Sequence, residues 1–406
     1  MNQTIRKRIE DINNGIVPEG YKQTPFGIFP CDWETISLGD LLDFKNGVNA
    51  DKEKYNSGVK MISVMDILAD GPIYYDKIRG QVDIDENTLN TYSVTYGDIL
   101  FQRSSETFED AGKSNVYLDC DKTATYSGFV IRGKKKAEYN PYFLNESLKI
   151  SQVREQIIRN AAGSQHINVG QESLEKIIVP SALSAEQGKI TEILMKWDEM
   201  VELQEQYIQK LELRKKAIMK KLLTPKDGWE KCRLNELVYK EKGKALKIDN
   251  EGSIPIVDME YLDKGVFTNY TNEKGVLANE QDILLLWDGA SAGTLLTGVK
   301  GVVGSTFALL TLKNDKTSSK YLYYWLTIEN DKNASLREGS GIPHMPKDYL
   351  QKQVVKYPIL DKQIKISKTL ALLEEEISLQ KEKLEKIKIQ RKAMQQYLLT
   401  GIVRIG

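Results

Sequence analysis

EQGKITEILMKWDEMVELQEQYIQKLELRKKAIMKKLLT, residues 186–224, is the stretch that decides how this chain is built. Its apolar seam runs Ile190, Leu194, Trp197, Val201, Gln204, Ile208, Leu211, Lys215, Ile218, Leu222 in alternating steps of four and three, the spacing of a helix packed along another helix. A second copy closes the chain at 362–400, where a shift of 176 gives Ile366, Leu370, Leu373, Ile377, Gln380, Leu384, Ile387, Arg391, Met394, Leu398. The repeat keeps even the two polar interruptions, so the segments are duplicates. At 1.5 Å per residue each makes a rod of about 55 to 60 Å, which needs a partner helix, and the chain supplies one. Antiparallel pairing about a pseudo-twofold axis would set Gln204 opposite Gln380, with Lys215 near Glu374 and Arg391 near Asp198. A polar pair buried there would fix register at some cost in stability; the plainer alternative is that all four polar side chains reach out to solvent.

The rest of the chain hangs between these rods. Its 406 residues are 41% hydrophobic and 28% charged, the balance of a folded protein with two or more domains. Lys plus Arg equals Asp plus Glu at 57 each, so any grip on nucleic acid must be local or shared with another subunit. MNQTIRKRIE is charged with no apolar core behind it, and no run of about 18 apolar residues follows anywhere, from which a cytoplasmic protein is expected. Cys31, Cys120 and Cys232 lie far apart and only two histidines exist, which leaves both a zinc site and a disulfide framework short of partners.

Residues 5–15 look helical and end on Gly15, and the Gly-Ile-Val at 15–17 recurs at 401–403, suggesting a circular layout in which the chain start continues from the chain end. From about 31 to 180 short strand-like runs alternate with Gly and Asp punctuation and are followed by a helical stretch, an α+β pattern. Residues 226–358 replay it: Trp229-Glu230 answers Trp33-Glu34, and Asp282-Ile283-Leu284 answers Asp98-Ile99-Leu100. Later positions align at an offset of 178, with Phe307 on Phe129, Leu326 on Leu148, His344 on His166 and Pro358 on Pro180. The order is globule, rod, globule, rod.

Chemistry-bearing motifs fail one by one. Gly112-Lys113-Ser114 ends like a phosphate-binding loop, but Thr107 stands where the leading glycine is needed, and the second copy reads Ala292-Gly293-Thr294 without lysine. Asn140-Pro141-Tyr142-Phe143 lacks the second proline of a methyltransferase loop and reads as a helix N-cap followed by a first-turn proline. His166, beside Gln165, and His344, beyond Ser340, occupy glycine-led loops in the two copies, without a repeated nucleophile or carboxylate. Neither a catalytic residue nor a metal ligand is therefore assigned. The loops after the Asp-Ile-Leu strands carry side chains suited to base edges and phosphates: Gln102, Arg103, Ser104, Lys113, Ser114 and Asn115 in one copy, Trp287, Asp288 and Ser291 in the other. The framework repeats while these loops differ, so if they read a ligand, the two globules read different things.

Over its whole length the chain resembles the specificity subunit of type I restriction-modification systems. The resemblance is carried by Trp33-Glu34 with Leu38-Gly39-Asp40, Gly97-Asp98-Ile99-Leu100, Gly163-Ser164-Gln165 and Val179-Pro180 leading to Glu186-Gln187 and Ile190, each with its second-half answer. It implies an α+β fold: two duplicated target-recognition domains separated by two long antiparallel coiled-coil helices, pseudo-twofold and circular in layout. The expected partition is an N-terminal helix and linker at 1–30, recognition domain 1 at 31–185, spacer helix 1 at 186–224, recognition domain 2 at 225–361, and spacer helix 2 with a tail at 362–406. It implies a non-catalytic reader of double-stranded DNA, bound to two methylation subunits and, in the full complex, restriction subunits. S-adenosylmethionine and ATP with Mg are then expected in those partners and no cofactor here. Two other readings stay open: a coiled-coil adaptor that binds only proteins, and the recognition subunit of a related fused restriction-methylation enzyme.

Overall fold

The structure, a computed structural model, describes residues 3–332 and 343–405. It divides into two units, residues 1–204 with 383–406, and residues 205–382.

Each unit is built on a four-stranded antiparallel sheet. In the first unit the order is Leu42–Asn46, Val130–Lys135, Ile99–Gln102, Ser114–Val116; in the second it is Val238–Lys242, Phe307–Leu312, Ile283–Leu286, Leu295–Thr297. The inner strands Ile99–Gln102 and Ile283–Leu286 are buried at every position, and apolar at all but Gln102, because both of their faces are covered. Ile99 and Phe101 enter one core while Leu100 enters another; Ile283 and Leu285 are divided in the same way from Leu284 and Leu286. The repeated aspartate comes just before each of these strands and its carboxylate closes a turn by accepting a backbone N–H: Asp98 from Thr95 at 3.0 Å, Asp282 from Asn279 at 2.8 Å. Burial pushes the Asp98 carboxyl above the usual carboxylate range, against the N–H groups of Thr95 and Lys135 that favour its charge.

A smaller sheet completes each unit through a short parallel pairing, Thr125–Tyr126 on Met61–Ile62 and Val302–Val303 on Ile256–Val257. Trp33 and Trp229 fill equivalent places, meeting Phe143 and Tyr321 edge-on at 6.4 Å.

The rods are continuous helices, Ser184–Leu223 and Leu360–Leu399. None of the twenty seam residues is exposed, and Gln204 is buried while Gln380 is half-buried. Within the first unit Ile190 and Leu194 share a core with Leu398 and Leu399; within the second Met219 and Leu223 share one with Ile366 and Leu370. The helices thus run antiparallel in each unit. Lys215 Nζ lies 2.6 Å from Glu374, and Arg391 Nε lies 2.8 Å from Asp198.

The chain ends meet inside the first unit, so the layout is circular there. Tyr21 donates its hydroxyl to the Gly401 carbonyl at 2.6 Å, Arg8 donates to that of Ile402, and Arg404 bridges Asp32 and Glu186. Glu186 also accepts the Trp33 indole N–H at 2.9 Å.

The strand registers correct three of the pairings drawn from sequence. Lys135 pairs with Leu42 as Leu312 pairs with Val238, so the counterpart of Phe307 is Val130, and Phe129 answers to Thr306. Val169 N–H bonds the Arg103 carbonyl as Met345 N–H bonds that of Trp287, so His344 answers to Asn168 rather than to His166. From this loop onward the offset is 176, as in the rods, and Pro358 consequently answers to Ala182. Single-residue insertions in loops shift an identity match without moving the ladder hydrogen bonds that define equivalence.

Candidate nucleic-acid interface

One end of each main sheet gathers loops that are distant in sequence. In the first unit they are the turn after Asn46, the segment after Gln102, the turn before Val130 and the segment before Ser114. A short pair, Ser104–Ser105 with Ile167–Asn168, ties the glycine-led loop to the same end.

The candidate side chains divide by burial. Gln102 is buried and donates from Nε2 to the Ser104 carbonyl at 2.8 Å, while its Oε1 has no partner among the described residues. Asn115 is 2% exposed and ties down the Gly71 carbonyl at 2.9 Å; Ser114 is buried and donates to Asn145 at 3.3 Å. All three hold the framework. Arg103 is half-buried with Nη1 at 3.4 Å from the Gly128 carbonyl, Ser104 donates to Asn168 Oδ1 at 2.5 Å, and Lys113 pairs with Asp110 at 2.5 Å. Gln165 and His166 are exposed. Their loop turns at Gly163, φ +143°, where a Cβ would come 1.9 Å from the His166 carbonyl oxygen, so only glycine fits.

The second unit fills the same framework differently. Trp287 is buried at the position of Arg103, with Lys240 Nζ 3.7 Å above its ring, a cation–π contact. Burial, and then the Lys242 charge, hold the Lys240 ammonium below its usual range. Asp288 pairs with Lys242 at 2.6 Å and bridges His344 backbone to backbone. Ser291 is exposed, and Ser340 lies outside the described residues.

Three neighbours of the site escaped the sequence reading: Phe129, Lys240 and Lys242. The lysines sit in a run, VYKEKGK, that reads as a solvated strand edge; only the sheet order places that strand beside the candidate loops. Donors and acceptors of this kind, set on rigid sheet ends, can read base edges. Among the described residues no group of His, Cys, Asp and Glu could hold a metal ion, and no helix is long and apolar enough to cross a membrane.

Duplicated sheets, paired long helices and divergent loop ends define a protein with two related but non-identical units. The sequence matches the family model for the type I restriction modification DNA specificity domain at residues 30–213 and again at 226–389, and the chain belongs to that family. It is 25% identical to a Methanocaldococcus jannaschii protein assigned as type I restriction enzyme MjaX specificity subunit, across 95% of this chain and 97% of that one. The MjaVIII specificity subunit of the same organism is 35% identical over 44% of this chain and 43% of its own length. Among solved structures, the S subunit of a type I restriction-modification system from M. genitalium shares the fold at a TM-score of 0.52, with 18% identity over 90% of this chain and 96% of that one. A chain from a structural study of type I R-M complex assembly and conformational transition shares it at 0.61, with 15% identity over 92% and 99%. Specificity subunits as a class are non-catalytic.

Proposed function

We propose that this chain reads an asymmetric, two-part target in double-stranded DNA for a type I restriction-modification complex. The reading rests on one observation: a framework repeated strand for strand carries loop ends that do not repeat, with Arg103 and Ser104 answered by Trp287 and Asp288. Two equal readers would need equal loops. Each unit would present its exposed groups to one short block in the major groove, where a good bidentate contact discriminates by about 1 to 3 kcal/mol. The long helices would set the gap between blocks as a rigid spacer does. Their exposed apolar side chains, Met195, Met200, Leu203, Leu213, Leu372 and Leu379, fit a surface that docks two methylation subunits, with restriction subunits joining through them. S-adenosylmethionine and ATP with Mg then belong to those partners, and the methylation subunits would flip the target adenine out of the duplex.

The test is co-expression with the adenine methyltransferase encoded nearest to this chain, in a methylation-free host, followed by mapping of modified adenines. A two-part motif with a fixed gap and unlike halves is expected. A stable complex that modifies nothing would favour an adaptor without DNA reading.

A further inference from the structure

Phe129 is 67% exposed at the tip of the turn between strands Thr125–Tyr126 and Val130–Lys135. Exposed apolar side chains are ordinary on protein surfaces, but this one is held out by a fixed turn. Ser127 N–H bonds the Ile62 carbonyl at 2.9 Å, Gly128 N–H that of Val48 at 2.8 Å, and Val130 N–H that of Ser127 at 2.9 Å; the Phe129 carbonyl itself accepts from Arg103 N–H at 3.0 Å. Arg103 Nη1 reaches the neighbouring Gly128 carbonyl. A Cβ on Gly128 would fall 1.8 Å from Asn49 Oδ1, which locks the turn against its neighbour. The phenyl side chain is therefore an apolar point carried on a fixed turn beside Asn49 and Arg103, and the second unit has the hydroxyl residues Ser305 and Thr306 in the place of Gly128 and Phe129.

In the major groove only thymine offers an apolar feature, its C5-methyl, among hydrogen-bonding edges. We propose that Phe129 contacts the C5-methyl group of a thymine in the half-site read by the first unit. This rests on the DNA reading above and names one contact within it.

The experiment uses the complex with its methylation subunit and the duplex motif found by methylation mapping. Each thymine of the motif is replaced in turn by deoxyuridine, which removes only the methyl group, and binding is measured with wild type, Phe129→Ala and Phe129→Leu. Burial of one methyl group against the ring predicts about three- to fivefold weaker binding at one position for wild type. Phe129→Ala should bind the thymine duplex at that weakened level and show no further loss on deoxyuridine, and Phe129→Leu should keep part of the discrimination. No loss for wild type on deoxyuridine at any position, or full thymine discrimination retained by Phe129→Ala at every position, overturns this contact and leaves the DNA reading standing. Failure of the intact complex to recognise any duplex overturns both.

Discussion

Removing Arg391 should destabilise the first unit far more than removing Lys215 destabilises the second, although the two hold equivalent places in the repeat. Arg391 joins Asp198 at 2.8 Å and Glu146 at 2.6 Å, and Glu146 is only 2% exposed. Burial alone would lower the guanidinium's proton affinity, but the Glu146 and Asp198 carboxylates outweigh it and raise it. Breaking a buried pair by deleting one partner costs about 3 to 5 kcal/mol, because a charge is left uncompensated. Here Glu146 keeps Lys149 at 2.5 Å and Gln395 at 2.9 Å, while Asp198 keeps the Tyr142 hydroxyl, so Arg391→Met should cost about 3 kcal/mol, the low end of that range. In the second unit the place of Glu146 is taken by Tyr324, whose neutral hydroxyl donates to Glu374 at 2.7 Å. Lys215 and Glu374 are 26% and 36% exposed, and such a pair contributes about 0 to 1 kcal/mol. Hydrogen exchange under native conditions, read on Pro141–Ser147 and Ser151–Arg159 for one unit and Ser319–Lys332 for the other, separates the two effects. Adding Glu146→Gln to Arg391→Met should recover more than half of the loss. Equal losses in both units, or no recovery, would refute the argument from a stranded carboxylate.

The pH dependence follows from the same cluster. Burial raises the Glu146 carboxyl, but Lys149 and Arg391 outweigh it and leave it below its ordinary value of 4.5; a lowered folded-state value gives stability that is complete above the unfolded value and lost as pH falls through the folded one. Urea titrations from pH 7 down to pH 3 should therefore show a steeper acid loss for wild type than for Glu146→Gln, and parallel curves would contradict it. Gln102→Leu, which installs the residue found at Leu286, removes a buried acceptor without a partner but also the Nε2 bond to the Ser104 carbonyl, and the two effects should offset to within about 1 kcal/mol; a loss of about 3 kcal/mol or more would give Oε1 a structural role. Asp288→Asn frees Lys242 from its 2.6 Å ion pair and should steepen the salt dependence of DNA binding by about one unit of log K against log salt. Deleting one heptad from both long helices should shorten the tolerated gap between half-sites, and an unchanged gap would rule out the spacer role.

The rods, the duplication and the repeated Asp-Ile-Leu strand were legible because each is set by a period or by burial on two faces, and both leave marks in residue type. The loop equivalences were not. His166 and His344 share a residue type and similar glycine-led surroundings, yet the ladder pairs His344 with Asp288, where Asn168 pairs with Ser104. Identity in a loop carries little information about position, because insertions there meet no packing constraint. Burial misled in the same place. Gln102, Ser114 and Asn115 look like solvent-facing polar residues in sequence, but the strand bearing Gln102 is sandwiched between two cores and the strand Ser114–Val116 is buried throughout. Phe129 was hidden for the opposite reason, since an aromatic beside a strand is expected to point inward.

The pairing of cations with acids at the sheet ends bears on how such a reader divides work with its partners. Lys113 is held by Asp110 and Lys242 by Asp288, while Lys240 lies over Trp287. Each acid near a reading surface repels phosphate, so the cation beside it adds little sequence-independent affinity, although it can still donate to a base. With 57 basic and 57 acidic residues the chain has no net positive charge to add to it. On the proposed function, a reader built this way would pair weakly with arbitrary DNA and take its backbone grip from the methylation subunits, so that base contacts would decide where the complex rests. Specificity is a difference between affinities, and keeping the unspecific part low at the loop ends makes a contact of the size expected for Phe129 count.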